Sequence, residues 1–359
     1  MTTDRLRVDD CVEIKSREEI LASLDANGCL DGLPFMPEML RFCGTRLRVS
    51  AVAHKTCDTV WQTGGRRIKS TVHLGEARCD GSAHGGCQAA CLLFWKTAWI
   101  KRAADTTDAG TSGQSLAGTG DSELSRTVFA PDSTQERPIY VCQATRLHAF
   151  TQPLAWWDIR QYWADYRSGN ANLRKAVSVL TLAFLFHLRK LPFGYRLNCW
   201  IYDRAHRMLR GTRDPYRDGR IPLGQPTPDE RQNLTAGEWV EVKSHDAILE
   251  TITTNRRNRG LSFDPEMVRF CGGRFRVAGR VTRIINERTG EPMQFSNPCI
   301  ILDKVACHAE YSHRRLLCPR RITPYWREIW LTRVGGLTQS APRQPDDAAN
   351  AAAQRGVGR

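Results

Sequence analysis

The chain lacks every compact signature of a familiar catalytic centre. It has no Gly-rich phosphate loop, no G-x-S-x-G elbow and no H-E-x-x-H helix, and no Asp/Glu pair is marked by spacing as an acid–base pair. The residues name no reaction, so binding without catalysis is the leading expectation. Tight C-x-x-C knuckles and ferredoxin-type spacings are absent too, which sets aside zinc ribbons, zinc fingers and the common iron–sulfur frameworks. The apolar run AVSVLTLAFLF (176–186) is eleven residues long, whereas a spanning helix needs about 20. The opening MTTDRLRVDDCVEIKS holds no apolar stretch with a small-residue cleavage site, so no secretory signal is expected.

What is present sets the frame. The 359 residues leave room for two or three domains, and 41% hydrophobic residues suffice for real cores. Thirteen cysteines without an export signal point to reduced thiols or metal thiolates in a cytoplasmic protein. A net charge of +14 favours an anionic partner: acidic protein, nucleic acid or an anionic membrane surface.

The main feature is a repeat. PEMLRFCGTRLRV (37–49) returns as PEMVRFCGGRFRV (265–277), with ten of thirteen residues identical. At an offset of 228 the match runs without a gap from Val12 to Cys79. A three-residue insertion then moves the offset to 231, where Cys87 meets Cys318, Trp95 meets Trp326 and Trp99 meets Trp330. Residues 10–103 and 238–334 thus read as two copies of one module. Between them lie a flexible linker (104–137), a helical basic insert (138–211) and a second linker (212–237), and a disordered tail (335–359) follows.

Within a copy, CVEIKS and EWVEVKS alternate as half-buried strands do. Ser16 with Glu19 forms a capping box for a short helix, and Ser244 keeps the cap while Ala247 loses the box. MLRF and MVRF carry apolar and basic residues in alternation until Cys-Gly breaks the run. RLRVSAV, RFRVAGRVTRII, STVHLGEARC and CIILDKVAC read as strands, with a hairpin turning at Thr289-Gly290. A short helix and four or five strands predict an α+β, mostly β fold of two small β-barrels. The opening strand, LTAGEWVEV in the second copy, resembles the start of SH3-like or KOW-type barrels, a likeness of about ten residues that implies architecture only.

Three cysteines recur: Cys43 with Cys271, Cys79 with Cys307, and Cys87 with Cys318. Further ligands stand nearby, namely Cys57, His84 and Cys91 in the first copy and Cys299, His308 and His313 in the second. Four soft ligands per module suit tetrahedral zinc, with an iron–sulfur centre as the lesser alternative. Ile285 stands where Cys57 stands and Ile322 where Cys91 stands, so the fourth ligand differs between the copies. CDGSAHGGCQAAC (79–91) is the most ligand-like piece, which makes the first module the expected home of any reactive or exchangeable thiol, Cys57 included. Against this, cysteine also packs as a small hydrophobe, the reading given to Cys11, Cys29, Cys142 and Cys199.

Anion binding is expected of Arg46, Arg48, Arg274 and Arg276, paired on one strand face, unless these form an ordinary solvated face. It is also expected of Arg204, Arg207 and Arg210 in the insert, whose segment 174–220 carries eleven basic and three acidic residues. The apolar run 176–186 suits an interfacial helix with snorkelling basic ends or a buried core helix. The chain therefore reads as a scaffold or accessory protein with thiolate sites and a basic surface. The alternatives are a metal-dependent enzyme with an open coordination position in the first module, and a peripheral membrane-associated assembly factor.

Overall fold

The computed structural model describes residues 5–104, 124–190, 195–312 and 314–335. Most of the first linker, the tail from residue 336 and His313 lie outside these residues.

The fold is mixed α/β with mostly antiparallel sheets. The first copy contains β1 (Cys11–Ile14), α1 (Arg17–Leu21), β2 (Cys29–Leu30), β3 (Leu33–Pro34), β4 (Arg46–Val52), β5 (Lys55–Cys57), β6 (Gly65–Arg67), β7 (Thr71–Leu74), β8 (Trp95–Lys96) and β9 (Ile100–Arg102). The intervening segment supplies β10 (Gln152–Leu154), α2 (Arg160–Ser168), α3 (Leu173–Leu188) and α4 (Tyr195–Arg210). The second copy contains β11 (Trp239–Val242), α5 (His245–Leu249), β12 (Arg257–Asn258), β13 (Leu261–Ser262), β14 (Arg274–Ile285), β15 (Pro292–Leu302) and β16 (Leu331–Arg333). One sheet runs β8-β7-β4-β1-β9 and its counterpart β15-β14-β11-β16, while β10-β6-β5 curls as a half-barrel.

Registers repeat at the offsets read from the sequence. Val12 faces Leu47 as Val240 faces Phe275, and Ile14 faces Ile100 as Val242 faces Leu331. Val49 faces Leu74 and Val277 faces Leu302, and each pair is followed by the same bulge. The cores repeat as well. Phe35 meets Trp99 edge-on at 5.3 Å, and Phe263 meets Trp330 at 5.3 Å. Each indole N–H is satisfied by a hydroxyl at the same position, Ser23 or Thr251. The capping box at Ser16 and the bare cap at Ser244 are both present.

The opening phrase is where expectation and structure part. Its alternation of apolar and basic residues reads like an extended run, yet Pro37–Phe42 and Pro265–Phe270 are 3₁₀ helices. Proline presets the first helical φ and needs no partner for an N–H. Residues three apart eclipse in a 3₁₀ helix, so Met39 and Phe42 point together toward the core and Glu38 and Arg41 share another edge. Gly44 and Gly272 close the turns at φ near 74° and 76°, conformations that a side chain would strain.

The copies also touch like the halves of a two-fold dimer. Thr59 hydrogen-bonds Glu287, and Arg288 donates to the Val60 carbonyl at 3.4 Å. In each pair the partners occupy the same position in the two copies, which only an axis of two-fold type allows. Arg78 donates to the carbonyls of both Ala90 and Arg321, again one position twice.

The helical segment is bound to both copies. Lys55 on β5 is buried, and its Nζ donates to Asp165 on α2 (2.6 Å), to Gln161 (3.3 Å) and to the Leu316 carbonyl of the second copy (2.8 Å). α3 turns Ala176, Val179, Leu182 and Phe186 inward, partly against Leu316 and Leu317. Its other side exposes Leu173, Val177, Leu180 and Phe184. The run 176–186 is thus half core and half open surface. No helix among the described residues is long and apolar enough to cross a membrane.

Two predictions arise here. Lys55→Met removes the lysine counterion of buried Asp165 and leaves it His54 Nε2 at 3.2 Å and the Asn170 amide at 3.4 Å, and unfolding free energy in denaturant should fall by about 3–5 kcal/mol. The double variant K55M/D165L should recover most of that loss, and an unchanged midpoint for K55M would remove the junction. The second concerns His73 on β7, fully buried with Nδ1 on the Leu93 carbonyl at 2.8 Å. Burial pulls its pKa down to about 4, and the nearby Arg320, Arg78 and Arg321 add to the effect. The unfolded chain takes up this proton near 6.5 and the folded chain does not. Stability is therefore full above about pH 6.5 and declines as pH falls toward 4. His73→Leu should flatten that limb in pH-dependent melting, and an unaltered slope would exclude His73 as its source.

Candidate metal centre

The buried glutamate of the repeated phrase organises the site. Pro37 starts the 3₁₀ helix, and Glu38 on its first turn is only 4% exposed. Its Oε1 accepts from the Ala83 amide at 3.1 Å and lies 2.6 Å from His84 Nδ1. The eclipsed Arg41 reaches the same loop from below, bonding Asp80 and donating to the Arg78 carbonyl. The phrase therefore clamps the loop that follows Cys79. Gly81 lets that loop close, because a Cβ there would sit 2.0 Å from the Cys87 carbonyl oxygen.

Glu38, Cys79 and His84 bring three ligand atoms within 4.8 Å of one another, a group that could hold a metal ion. The carboxylate Oε2 has no partner and is free to turn toward an ion. His84 Nε2 lies 3.0 Å from the Val141 carbonyl, so both ring nitrogens face acceptors. A divalent ion held here would replace the contact between Nδ1 and Oε1 with bonds from both atoms to the metal. Burial pushes Glu38 up, but the His84 hydrogen bond and charge outweigh it and hold the carboxyl below its ordinary value.

The thiols fall into two groups, and the boundary between the copies does not separate them. Cys79, Cys87 and Cys91 lie near one another with Cys142, which the sequence reading treats as packing. Burial pushes Cys79 well up, Glu38, Cys91 and Cys142 add to it, and burial brings Cys91 to about 12. The second group joins Cys307 and Cys318 to Cys57. Cys57, expected as an exchangeable thiol of the first module, is instead buried in the second module's cluster. The hydrogen bond with Cys318 holds Cys57 below the usual thiol value, and Arg320 beside it adds to the effect. Its counterpart Ile285 sits reciprocally in the first group, donating its amide to Cys87 Sγ at 3.4 Å.

Other candidates stand apart. Cys43 and Cys271 pack against the two cores, with burial pushing them up to about 11 and about 12. Cys299 is buried in β15 beside the Arg327 guanidinium. His308 packs on Phe270 and lines a separate cavity with Lys175 and Asn170. The paired arginines are used within the sheets: Arg46 bonds Glu13 and Arg274 bonds Glu241, while Arg48 and Arg276 donate to the carbonyls of Asp9 and Gly237. Arg207 pairs with Asp203 and Arg210 with buried Glu310, whereas Arg204 is exposed.

Sequence reasoning passed over Glu38 and its counterpart Glu266. The signal was there, since a carboxylate follows proline in the middle of an apolar phrase in both copies. Comparison with protein-family models, curated proteins and solved structures finds no match for this chain.

Glu38→Gln should keep the Ala83 bond but lose the charge on His84, and metal retention in dialysis should drop by at least about tenfold, as for other groups that orient ligands. Glu38→Ala should also speed amide exchange at Ala83 and lower stability by about 1–3 kcal/mol. An E38A protein with unaltered loop exchange would contradict the clamp.

Proposed function

We propose that this chain is a non-catalytic cytoplasmic binding protein. In this reading, two SH3-like modules stapled by thiolate-bound zinc hold the helical insert against an anionic membrane surface. Zinc is favoured by the donor chemistry, which offers thiolates with one imidazole and carboxylates. One observation carries the binding reading. The insert exposes Trp157, Trp163, Val177, Phe184 and Trp200, each more than half exposed, near the exposed Arg174, Arg196 and Arg204. Among the described residues no carboxylate pairs with these three arginines. Isolated apolar side chains are normal on a surface, but this many large exposed ones in one helical segment that also exposes arginines suits the lipid interface. A nucleic-acid or acidic-protein partner accounts for the charge but leaves the apolar face unexplained.

Flotation with phosphatidylserine vesicles and with phosphatidylcholine vesicles tests this. The protein should float with the anionic vesicles only. The triple variant R174Q/R196Q/R204Q should bind about 100-fold more weakly, at about 1 kcal/mol per basic residue near the surface. Phe184→Glu with Trp200→Glu should abolish flotation. Continued flotation of that double variant would overturn the reading, as would binding to RNA or DNA with no vesicle binding at all.

A second reading, a metal-dependent enzyme, draws on the group of three donors at Glu38, Cys79 and His84, which leaves one tetrahedral position for water or substrate. Cobalt substitution separates the two. A spectrum that shifts with pH or added anions supports an open position, and an inert one supports a staple.

A further inference from the structure

The second thiol group has its own cavity. A space of about 140 Å³ is lined by Cys57, Cys307, Cys318 and Glu266, with Arg315 and Arg320 at its wall. Glu266 occupies the position of Glu38. Its Oε1 accepts from the Tyr311 amide at 2.7 Å, as Glu38 does from Ala83, so it clamps the corresponding loop. Its side chain is 3% exposed and Oε2 has no hydrogen-bond partner. A buried carboxylate oxygen left bare in a cavity with three thiols is an acceptor without a donor, and buried polar atoms seldom stay so.

We propose that the second module carries its own site for one zinc-class divalent ion, completed across the boundary between the copies by Glu266, Cys307 and Cys318 of the second and Cys57 of the first. The alignment supports this independently of the cavity. The first group has Cys79, Cys87 and Cys91 with Ile285 beside them. The second has Cys307, Cys318 and Cys57 with Ile322 beside them. Where the second copy loses the cysteine at the position of Cys91, the first copy supplies one at the position of Ile285. Apart from Cys142, which the segment between the copies adds to the first group, each group thus draws three thiols and one isoleucine from the two copies, by different routes. Packing alone asks for no such compensation, since isoleucine fills either position.

Charge permits the assignment. Three thiolates and a carboxylate would leave a large uncompensated negative charge in a buried space. One divalent ion together with the guanidiniums of Arg315 and Arg320 offsets most of it, Arg320 being shared with Glu287 at 3.5 Å. The thiols of Cys57 and Cys318 pack in one cluster, and Cys307 and Glu266 line the same cavity, so an ion would have to draw the four donors together, displacing protons as they bind.

The test uses the full chain, reduced, stripped with chelator, dialysed and titrated with cobalt or zinc. Ions per chain are read by elemental mass spectrometry, and thiolate ligation by the sulfur-to-cobalt absorption band. Wild type should take two ions. Cys57→Ser should take one, although Cys57 belongs to the first module. Cys57→Ile, which installs the residue of the counterpart position, guards against a misfolded serine variant and should also take one. Glu266→Gln should weaken the second ion at least about tenfold, as ligand-shell changes do. His84→Gln should remove only the other ion, and Cys43→Ser should leave both. Two ions retained in both Cys57 variants would overturn the proposal, as would a wild type whose single ion is lost on His84→Gln. The latter result leaves the first site standing. A single ion lost in the Cys57 variants and kept in H84Q would do the reverse.

Discussion

Everything around the candidate site depends on a carboxylate buried at the start of a 3₁₀ helix. A lone charged glutamate in a protein interior is costly unless hydrogen bonds or charges compensate it. Glu38 is compensated by the loop amide of Ala83 and by His84, and Glu266 by the amides of Tyr311 and Ser312. Each loop in turn leads to its module's third shared cysteine, Cys87 or Cys318. The glutamate therefore does for the loop what a cap does for a helix, satisfying donors that have no other partner. The difference at one position sets the two sites apart. With His84 beside it, Glu38 is held below its ordinary value. With serine there instead, burial raises Glu266 to about 7.

The second organising constraint is the two-fold relation between the copies. Because Thr59 meets Glu287 and Val60 meets Arg288, the turn of each copy lies at the axis and points into its neighbour. An element beside such an axis contributes to the other half as readily as to its own. That explains why Cys57 belongs energetically to the second copy and Ile285 to the first. It also explains why buried Arg320 reaches both Thr59 of one copy and Glu287 of the other.

Much of this was legible in the residues. The repeat, its two offsets, the strand alternation and the capping signals all depend on local spacing, and local spacing survives in a single sequence. The 3₁₀ helices were less legible, because MLRF alternates like a strand over four residues and only the preceding proline argues otherwise. Glu38 and Glu266 were missed because a glutamate is usually solvated, and nothing local tells a buried one from an exposed one. The destination of Cys57 was beyond reach for a different reason. It depends on how the copies pack, and neither copy encodes that alone. The arginine pairs, read as an anion-binding or solvated strand face, are exposed and also bond Glu13, Glu241 and two carbonyls, contacts that strand periodicity alone does not reveal.

The insert completes the logic. Its helices share a small cluster of their own, Leu182, Phe186 and Tyr202 with Tyr216, and also pack on both copies. They lean on Lys55 and Asp165, on Leu316 and Leu317, and on Phe186 packed with Tyr202 and Tyr216. A helix that is apolar all round normally belongs in an interior, yet α3 buries one face and leaves Val177 and Phe184 open. The buried face of α3 packs on Leu316 and Leu317 of the second copy, while Asp165 on α2 pairs with Lys55 of the first, whose Nζ also donates to the Leu316 carbonyl. Anything that loosens the axis between the copies must therefore also shift Leu316 against Lys55, and with it the exposed face. Metal centres placed on either side of that axis would hold the insert at a fixed orientation, which a surface meant to dock as one rigid face requires.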